Sequence, residues 1–215
     1  MKIYVVGNSN NKFLPLNDIR EKFIINVKHD GENIDNLNPW YCELTGLYWI
    51  WKNSKEDIVG LEHYRRYFVN NRNQLLNKDE IKNILNNNDI ICIRANYSFK
   101  RPPLTWLQKN GKWYDMQKFL IFIKAYVGEE YYNICKNHLH SDWHALGNMF
   151  ICKKELIDEY CKFIFDLTIT YMNAEKNFGR NIPGRMIGYF TEFLFGAWLL
   201  YNNKKIYFNK MRMVR

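Results

Sequence analysis

The stretch DIVGLEHYRRYF, residues 57–68, joins a strand signal to a group of chemically useful side chains. Residues 57–61 contain a short apolar run after Asp57 with two adjacent β-branched residues, which is typical of a buried strand. Glu62, His63, Arg65 and Arg66 follow at the carboxyl end of that strand. Because open α/β sheets bind their ligands at this end of the strands, the stretch predicts both a sheet strand and a binding site.

The segments around this strand predict an α/β fold. Further strands are predicted over residues 3–6, 23–27, 89–93, 148–152 and 206–208, and helices over 38–53, 78–86, 116–127, 129–137, 154–172 and 186–201. Asn38 is expected to cap the first helix, with Pro39 at its first helical position. Short strands that alternate with helices favour a parallel sheet, and no linker or repeat divides the chain. We therefore predict a single domain over residues 1–215, with a mostly parallel central sheet flanked by helices.

The composition is that of a basic globular protein. Of the 215 residues, 47% are hydrophobic and 25% charged, which excludes wholesale disorder. A formal net charge of +9 favours anionic partners, but no Lys/Arg-rich arm is present, so nucleic acid is not an expected partner. The cations concentrate locally only near the end of the sequence, where they suit an anionic inner-leaflet surface: Lys204, Lys205, Lys210, Arg212 and Arg215.

Cysteine usage and hydropathy predict the compartment. The five cysteines form no C-x-x-C pair, which indicates reduced thiols. No run of 18 apolar residues occurs, and the first apolar run is too short for a signal peptide. We therefore expect a cytoplasmic protein that is peripheral to the inner membrane.

The Arg65-Arg66 pair suits a diphosphate, because guanidinium forks match phosphate oxygens bidentately. The alternative is that one arginine pairs with a surface acid while the other is solvated. Two more polar segments are expected at strand ends, the turn at residues 7–10 and the segment 140–148. Neither a dinucleotide-binding glycine fingerprint, nor a P-loop, nor a G-x-S-x-G motif is present.

Metal ligands are not predicted. The chain has no D-x-D motif, for which Glu62 and His63 are the nearest substitute, so a manganese or magnesium ion is left open. His138, His140 and His144 with Asp142 resemble a zinc cluster in content. They lie in a predicted loop, however, where histidines are mostly solvated or hydrogen-bonded.

Glu192 is an acid within an apolar helical segment. Burial there would raise its pKa and suit a general base. The alternatives are that Glu192 faces water or pairs with Arg185.

Two long motifs resemble a known family. They are NPWYCELTGLYWIWKN, residues 38–53, and VGLEHYRRYF, residues 59–68, with shorter similar blocks at 148–156 and 185–198. Together they resemble the bacterial capsular-polysaccharide and lipopolysaccharide glycosyltransferases, a family formerly described as a domain of unknown function. The resemblance spans nearly the whole chain.

The resemblance implies a GT-A-like fold that binds a nucleotide sugar. It implies transfer of a sugar, with galactose or galactofuranose as candidates, from a nucleoside-diphosphate donor, most simply a UDP-sugar, to a lipid-linked glycan. The donor-binding residues so predicted are Val6, Gly7, Asn8, Glu43, Glu62, His63, Arg65, Arg66, Asn148 and Arg185.

The residues and the resemblance together predict a mechanism. The arginine pair would stabilise charge on the leaving diphosphate, and Trp106 and Trp143 would contact the sugar faces. Glu192 is the first candidate for the base that accepts the acceptor's proton, and Asp142 is the second. The alternative function is a non-catalytic module that binds anionic glycans or nucleic acid.

Overall fold

The computed structural model describes residues 1–98 and 100–214, which form seven strands and eight α-helices. The strands are β1 (Lys2–Gly7), β2 (Arg20–Ile24), β3 (Ile58–His63), β4 (Arg66–Val69), β5 (Ile90–Asn96), β6 (Trp143–Lys153) and β7 (Ile206–Met213). The helices are α1 (Asn38–Tyr41), α2 (Leu44–Asn53), α3 (Lys78–Leu85), α4 (Pro103–Lys109), α5 (Trp113–Tyr126), α6 (Glu129–Leu139), α7 (Lys154–Asn177) and α8 (Met186–Tyr201).

The strands form one mixed sheet, so the prediction of a mostly parallel sheet is wrong. β1 pairs in parallel with β2 and β3, and β5 pairs in parallel with β7. The pairs β3–β4, β3–β6, β4–β7 and β5–β6 are antiparallel. Since β3 bonds to β6 along its first part and to β4 at its end, strands β3, β4, β7, β5 and β6 close into a ring. A two-residue turn between β3 and β4, and the insertion of β6 between β3 and β5, produce the antiparallel pairs.

Helices cover both faces of the sheet. The larger core lies between one face and helices α2, α5, α6, α7 and α8. A smaller core on the other face joins Ile3, Ile91 and Ile151 to Ile81 and Leu85 of α3. Tyr4 and Ile3 belong to different cores, as the alternation of side chains along a strand requires.

The helix predicted over residues 38–53 is broken in two. Cys42 separates α1 from α2 with φ +51° and ψ −124°, a backbone conformation that L-residues rarely adopt. Asn38 is not the cap, because Leu37 holds that position and Asn38 Nδ2 donates to the Ile25 carbonyl at 3.0 Å. The break aims Glu43, the residue after Cys42, at the carboxyl ends of β1 and β3.

Two segments expected to be irregular contain regular structure. Helix α4 lies within residues 94–113, and β6 starts at Trp143, so His144 is on a strand rather than in a loop. Within residues 1–98 and 100–214, no helix combines the length and apolar character needed to cross a membrane.

Candidate active site

A cleft of about 680 Å³ opens at the carboxyl ends of β1 and β3. These parallel strands are in register, with Val6 opposite His63, so the turn after β1 lies beside the β3–β4 turn. Tyr64 N–H donates to the Val6 carbonyl at 2.8 Å and ties the two turns together. Gly7 sits where a Cβ would come within 2.8 Å of the Phe13 ring, which leaves space there for glycine alone.

The structure brings most of the predicted site residues into this cleft. Those that line it are Val6, Gly7, Asn8, Glu43, His63, Arg65, Arg66, Arg185 and Glu192. They come from β1, the α1–α2 break, the β3–β4 turn and the start of α8, which are far apart in the sequence.

Three arginines of the cleft have no carboxylate within ion-pair distance among the described residues. The arginines with a carboxylate partner in the described part of the chain are Arg20, Arg94 and Arg180, which leaves Arg65, Arg66 and Arg185 without one. The Nε of Arg66 is buried and has no hydrogen-bond partner among the described residues. Guanidinium groups gathered in one cleft suit a polyanion, since each offers a fork of donors to phosphate oxygens.

A bulge in β6 holds the two carboxylates of the cleft. Cys92 faces Phe150 and Arg94 faces Ala145, so residues 146–149 oppose Ile93 alone. Gly147 and Asn148 take up the extra length with φ of +69° and +53°.

The side chains of the two acids bond to these neighbouring bulge residues. Gly147 N–H donates to Glu192 Oε1 at 3.0 Å, and Asn148 Nδ2 donates to Glu43 Oε1 at 3.0 Å. The bulge therefore sets the position of both carboxylates.

Glu192 is kept ionised by its neighbours. Burial alone would raise its pKa, but His144, His63 and the Gly147 N–H lower that pKa below its usual value. The pKa of Glu192 therefore lies below its usual value, and the expectation of a raised pKa is wrong. Its side chain is 21% exposed and reaches the cleft, and the basic group within 4 Å of it among the described residues is His144 Nε2, at 3.7 Å, rather than Arg185.

His63 is held in place by the same β6 bulge. Its Nε2 lies 2.6 Å from the Gly147 carbonyl oxygen, so this nitrogen carries the proton and donates it. The contact joins β3 to the β6 bulge across the floor of the cleft.

Aromatic rings line the end of the cleft near Glu192. Trp106 packs against Tyr189 and Phe193 at 5.6 and 5.4 Å between ring centroids, and Tyr97 lies beside His144. Burial raises the pKa of Tyr97 to about 12, and the charge of Glu192 adds to the shift. Tyr97 and Tyr189 are site residues that the sequence did not predict, although Arg185, Tyr189 and Glu192 follow one another at the four- and three-residue spacing of one helix face.

Four predicted residues lie elsewhere. Glu62 is fully buried beneath the sheet, where Arg20 donates to it from Nε at 2.8 Å and from Nη2 at 2.9 Å, so it does not reach the cleft. Asn148 is also buried and acts behind Glu43. Asp142 pairs with Arg94 at 3.0 Å outside the cleft lining, and Trp143 packs on Phe208 instead of lining the cleft.

The histidine-rich segment does not form a metal site. Burial lowers the pKa of His138 to about 3, and His140 is exposed with Nδ1 2.8 Å from the Lys136 carbonyl oxygen. In the part of the chain that the structure describes, no three His, Cys, Asp or Glu side chains are grouped so as to hold a metal ion.

Residues 5–204 match a protein family described as a domain of unknown function, DUF4422. The apo structure of WbbM, a bifunctional glycosyltransferase, has the same fold, with a TM-score of 0.76 at 22% sequence identity. The match covers 99% of this chain and 45% of the WbbM chain, so this chain spans under half of that protein. No curated protein matches the sequence significantly.

Proposed function

This chain belongs to the DUF4422 family, and we propose that it is a glycosyltransferase that uses a nucleotide-sugar donor. The observation that carries the proposal is the cleft itself. Three arginines without carboxylate partners face, in the same space, an ionised glutamate that a backbone N–H holds in place. The fold shared with a bifunctional glycosyltransferase supports the same conclusion.

The arginines suit the leaving group of this reaction. When the bond between the anomeric carbon and the phosphate oxygen breaks, its electron pair leaves with the nucleoside diphosphate. Fixed positive charge stabilises the charge that grows there. Arg65 and Arg66 lie at the end of β3 and Arg185 precedes α8, so the diphosphate would lie between these two elements.

Glu192 suits the base. As the acceptor oxygen forms its bond to the anomeric carbon, the hydroxyl proton passes to the carboxylate. A lowered pKa keeps this carboxylate ready to accept a proton at neutral pH. The rings of Trp106, Tyr189 and Phe193 beside Glu192 offer flat apolar surfaces for a sugar.

The finer identity of the substrates rests on the motifs at 38–53 and 59–68. The family resemblance that these motifs carry implies a UDP-sugar donor, with galactose or galactofuranose as the sugar, and a lipid-linked glycan of a surface polysaccharide as the acceptor. Tyr64, Asn8 and Asn11 line the part of the cleft at the end of β1, where the nucleoside would bind.

The test of the donor site is isothermal titration calorimetry with nucleoside diphosphates and nucleotide sugars, with and without manganese. We expect at least one nucleoside diphosphate to bind. Absence of binding for every compound under both conditions would refute the proposed function. Binding without transfer to any glycan acceptor would instead favour a non-catalytic module.

The test of the base compares two variants. Glu192→Gln keeps the size and hydrogen bonding of the side chain, so it should bind donor like the wild type and lose turnover by roughly 10² or more. Asp142→Asn is the matched control, because Asp142 lies outside the cleft lining and should retain turnover. Wild-type turnover in Glu192→Gln, or a retaining stereochemical outcome, would remove Glu192 from this role.

A further inference from the structure

His144 is a buried histidine without a hydrogen bond. It lies near the start of β6, is 2% exposed and still contributes to the cleft lining. Neither of its ring nitrogens has a hydrogen-bond partner within residues 1–98 and 100–214. Burying an unpaired polar atom costs free energy, so packing alone does not account for a histidine at this position.

Aromatic rings and one carboxylate lie against His144. The imidazole lies 5.3 Å from the Tyr97 ring and 4.7 Å from the Phe193 ring, measured between centroids. Its Nε2 lies 3.7 Å from Glu192 Oε1, slightly beyond hydrogen-bond distance. Hydrogen bonds of catalytic groups are often long in the absence of substrate and tighten when it binds.

The two neighbours of the Glu192 carboxylate approach the same oxygen atom. Gly147 N–H donates to Oε1, and His144 Nε2 approaches Oε1 as well. Two groups on one oxygen fix the plane of the carboxylate and leave Oε2 free for a hydroxyl of the acceptor.

We propose that His144 is the positioning residue of the base, donating from Nε2 to Glu192 Oε1 so that Oε2 accepts the proton of the acceptor hydroxyl. The inference rests on the proposed function for its reaction. In that step the acceptor O–H bond breaks and the bond from oxygen to the anomeric carbon forms. The bond from that carbon to the diphosphate breaks with its electron pair, and the proton ends on Glu192 Oε2.

Other titratable groups face the pair from each neighbouring element. His63 on β3 donates to the Gly147 carbonyl, and Tyr97, directly after β5, stays protonated at neutral pH because burial raises its pKa to about 12. Glu43, at the α1–α2 break, is held by Asn148. His138 on α6 stays neutral because burial lowers its pKa to about 3. His144 is therefore the group placed to act directly on Glu192 Oε1.

The first test measures the pKa of Glu192 and does not require turnover. Its carboxyl ¹³C signal, assigned by its loss in Glu192→Gln, is titrated in the wild type and in His144→Phe. Phenylalanine keeps the ring between Tyr97 and Phe193 but removes both nitrogens. We expect the pKa of Glu192 to rise by about one unit or more in His144→Phe. His140→Gln is the control, because His140 is exposed at the end of α6, where it contacts the Lys136 carbonyl, and its loss should leave this pKa unchanged.

The second test separates positioning from packing. Phenylalanine keeps the ring packed between Tyr97 and Phe193, so His144→Phe should stay folded while its kcat falls at least tenfold. The acid limb of its pH–rate profile should move upward with the pKa of Glu192, since the base must be ionised. His144→Gln, whose amide nitrogen can replace Nε2, should recover part of kcat.

An unchanged pKa of Glu192 in both His144 variants would overturn the inference, and so would unfolding of both variants. Failure of the proposed function would be seen separately, as wild-type protein that binds no nucleoside diphosphate.

Discussion

Arg65, Arg66 and Arg185 line the cleft without carboxylate partners, whereas Arg20 is fully paired beneath the sheet. The side chains of Arg20 and Glu62 are both 0% exposed, and the Glu62 carboxylate also accepts from the Phe68 N–H at 2.9 Å. Removal of one member of such a buried pair leaves the other charge unpaired, which typically costs about 3–5 kcal/mol. Removal of an arginine that faces the open cleft should not cause a comparable loss of stability.

We expect Arg65→Ala and Arg66→Ala to weaken donor binding without loss of the fold. Loss of one charge-assisted contact should cost roughly 1.5–3 kcal/mol of binding free energy, which calorimetry with the nucleoside diphosphate measures. Glu62→Gln is the contrasting variant and should lower the free energy of unfolding. Unfolding of Arg66→Ala, with unchanged donor affinity in the remaining folded protein, would make Arg66 structural.

The contrast between these residues shows what the sequence can predict about individual side chains. The residue types of the site were predictable, because Arg65 and Arg66 follow a predicted strand and Glu192 is an acid within an apolar helical segment. The directions in which these side chains point could not be predicted. Glu62 and His63 are neighbours on one strand, so they point to opposite faces, and the partner of Glu62 lies 42 residues away. Long-range pairing of this kind leaves no local pattern.

The bulge of β6 is the element that shapes the site. Gly147 has φ +69°, and a Cβ there would lie 3.2 Å from Arg66 Nη1 and 3.4 Å from His63 Cε1. Its N–H holds Glu192, its carbonyl accepts from His63, and its neighbour Asn148 holds Glu43. A side chain at this position would therefore displace the groups on both sides of the cleft.

We expect Gly147→Ala to lose about 1–2 kcal/mol of stability from its left-handed backbone and at least tenfold in turnover. The matched control is Gly179→Ala, since Gly179 has φ +67° and an added methyl group would meet no described atom within 4 Å. The control should show a similar loss of stability and full turnover. Equal turnover in the two variants would mean that the bulge does not position the base.

Elements were more predictable than their directions. Apolar runs and turn residues located six of the seven described strands, all except β4, because burial and local propensity act over a few residues. The antiparallel course of β6 and the closure of β3, β4, β7, β5 and β6 into a ring depend on the path of the chain through space. The break at Cys42 was hidden because residues 38–53 have continuous helical periodicity.

At the scale of the whole molecule, the cations near the end of the sequence lie at two different ends of β7. Lys204 pairs with Glu159 at 3.0 Å, and Lys205 adjoins the start of β7. Lys210 and Arg212 are exposed on one face of β7, whose far end pairs with β4 beside Arg66. Arg215 lies outside the described residues. A strand rises about 3.3 Å per residue, so roughly 23 Å separate Lys205 from Arg212.

We propose that Lys210 and Arg212, on the cleft side, contact the anionic membrane surface that presents a lipid-linked acceptor. Each such contact is worth about 1 kcal/mol, so the double variant Lys210→Gln/Arg212→Gln should bind anionic liposomes roughly 30-fold more weakly in sedimentation. The control, Lys204→Gln/Lys205→Gln, removes the same charge at the other end of β7 and should retain most of the binding. Equal losses in the two double variants would show that net charge, rather than this face, governs the interaction. Equal wild-type binding to neutral vesicles would exclude an electrostatic contact altogether, because without anionic lipid the cations have no surface charge to attract them.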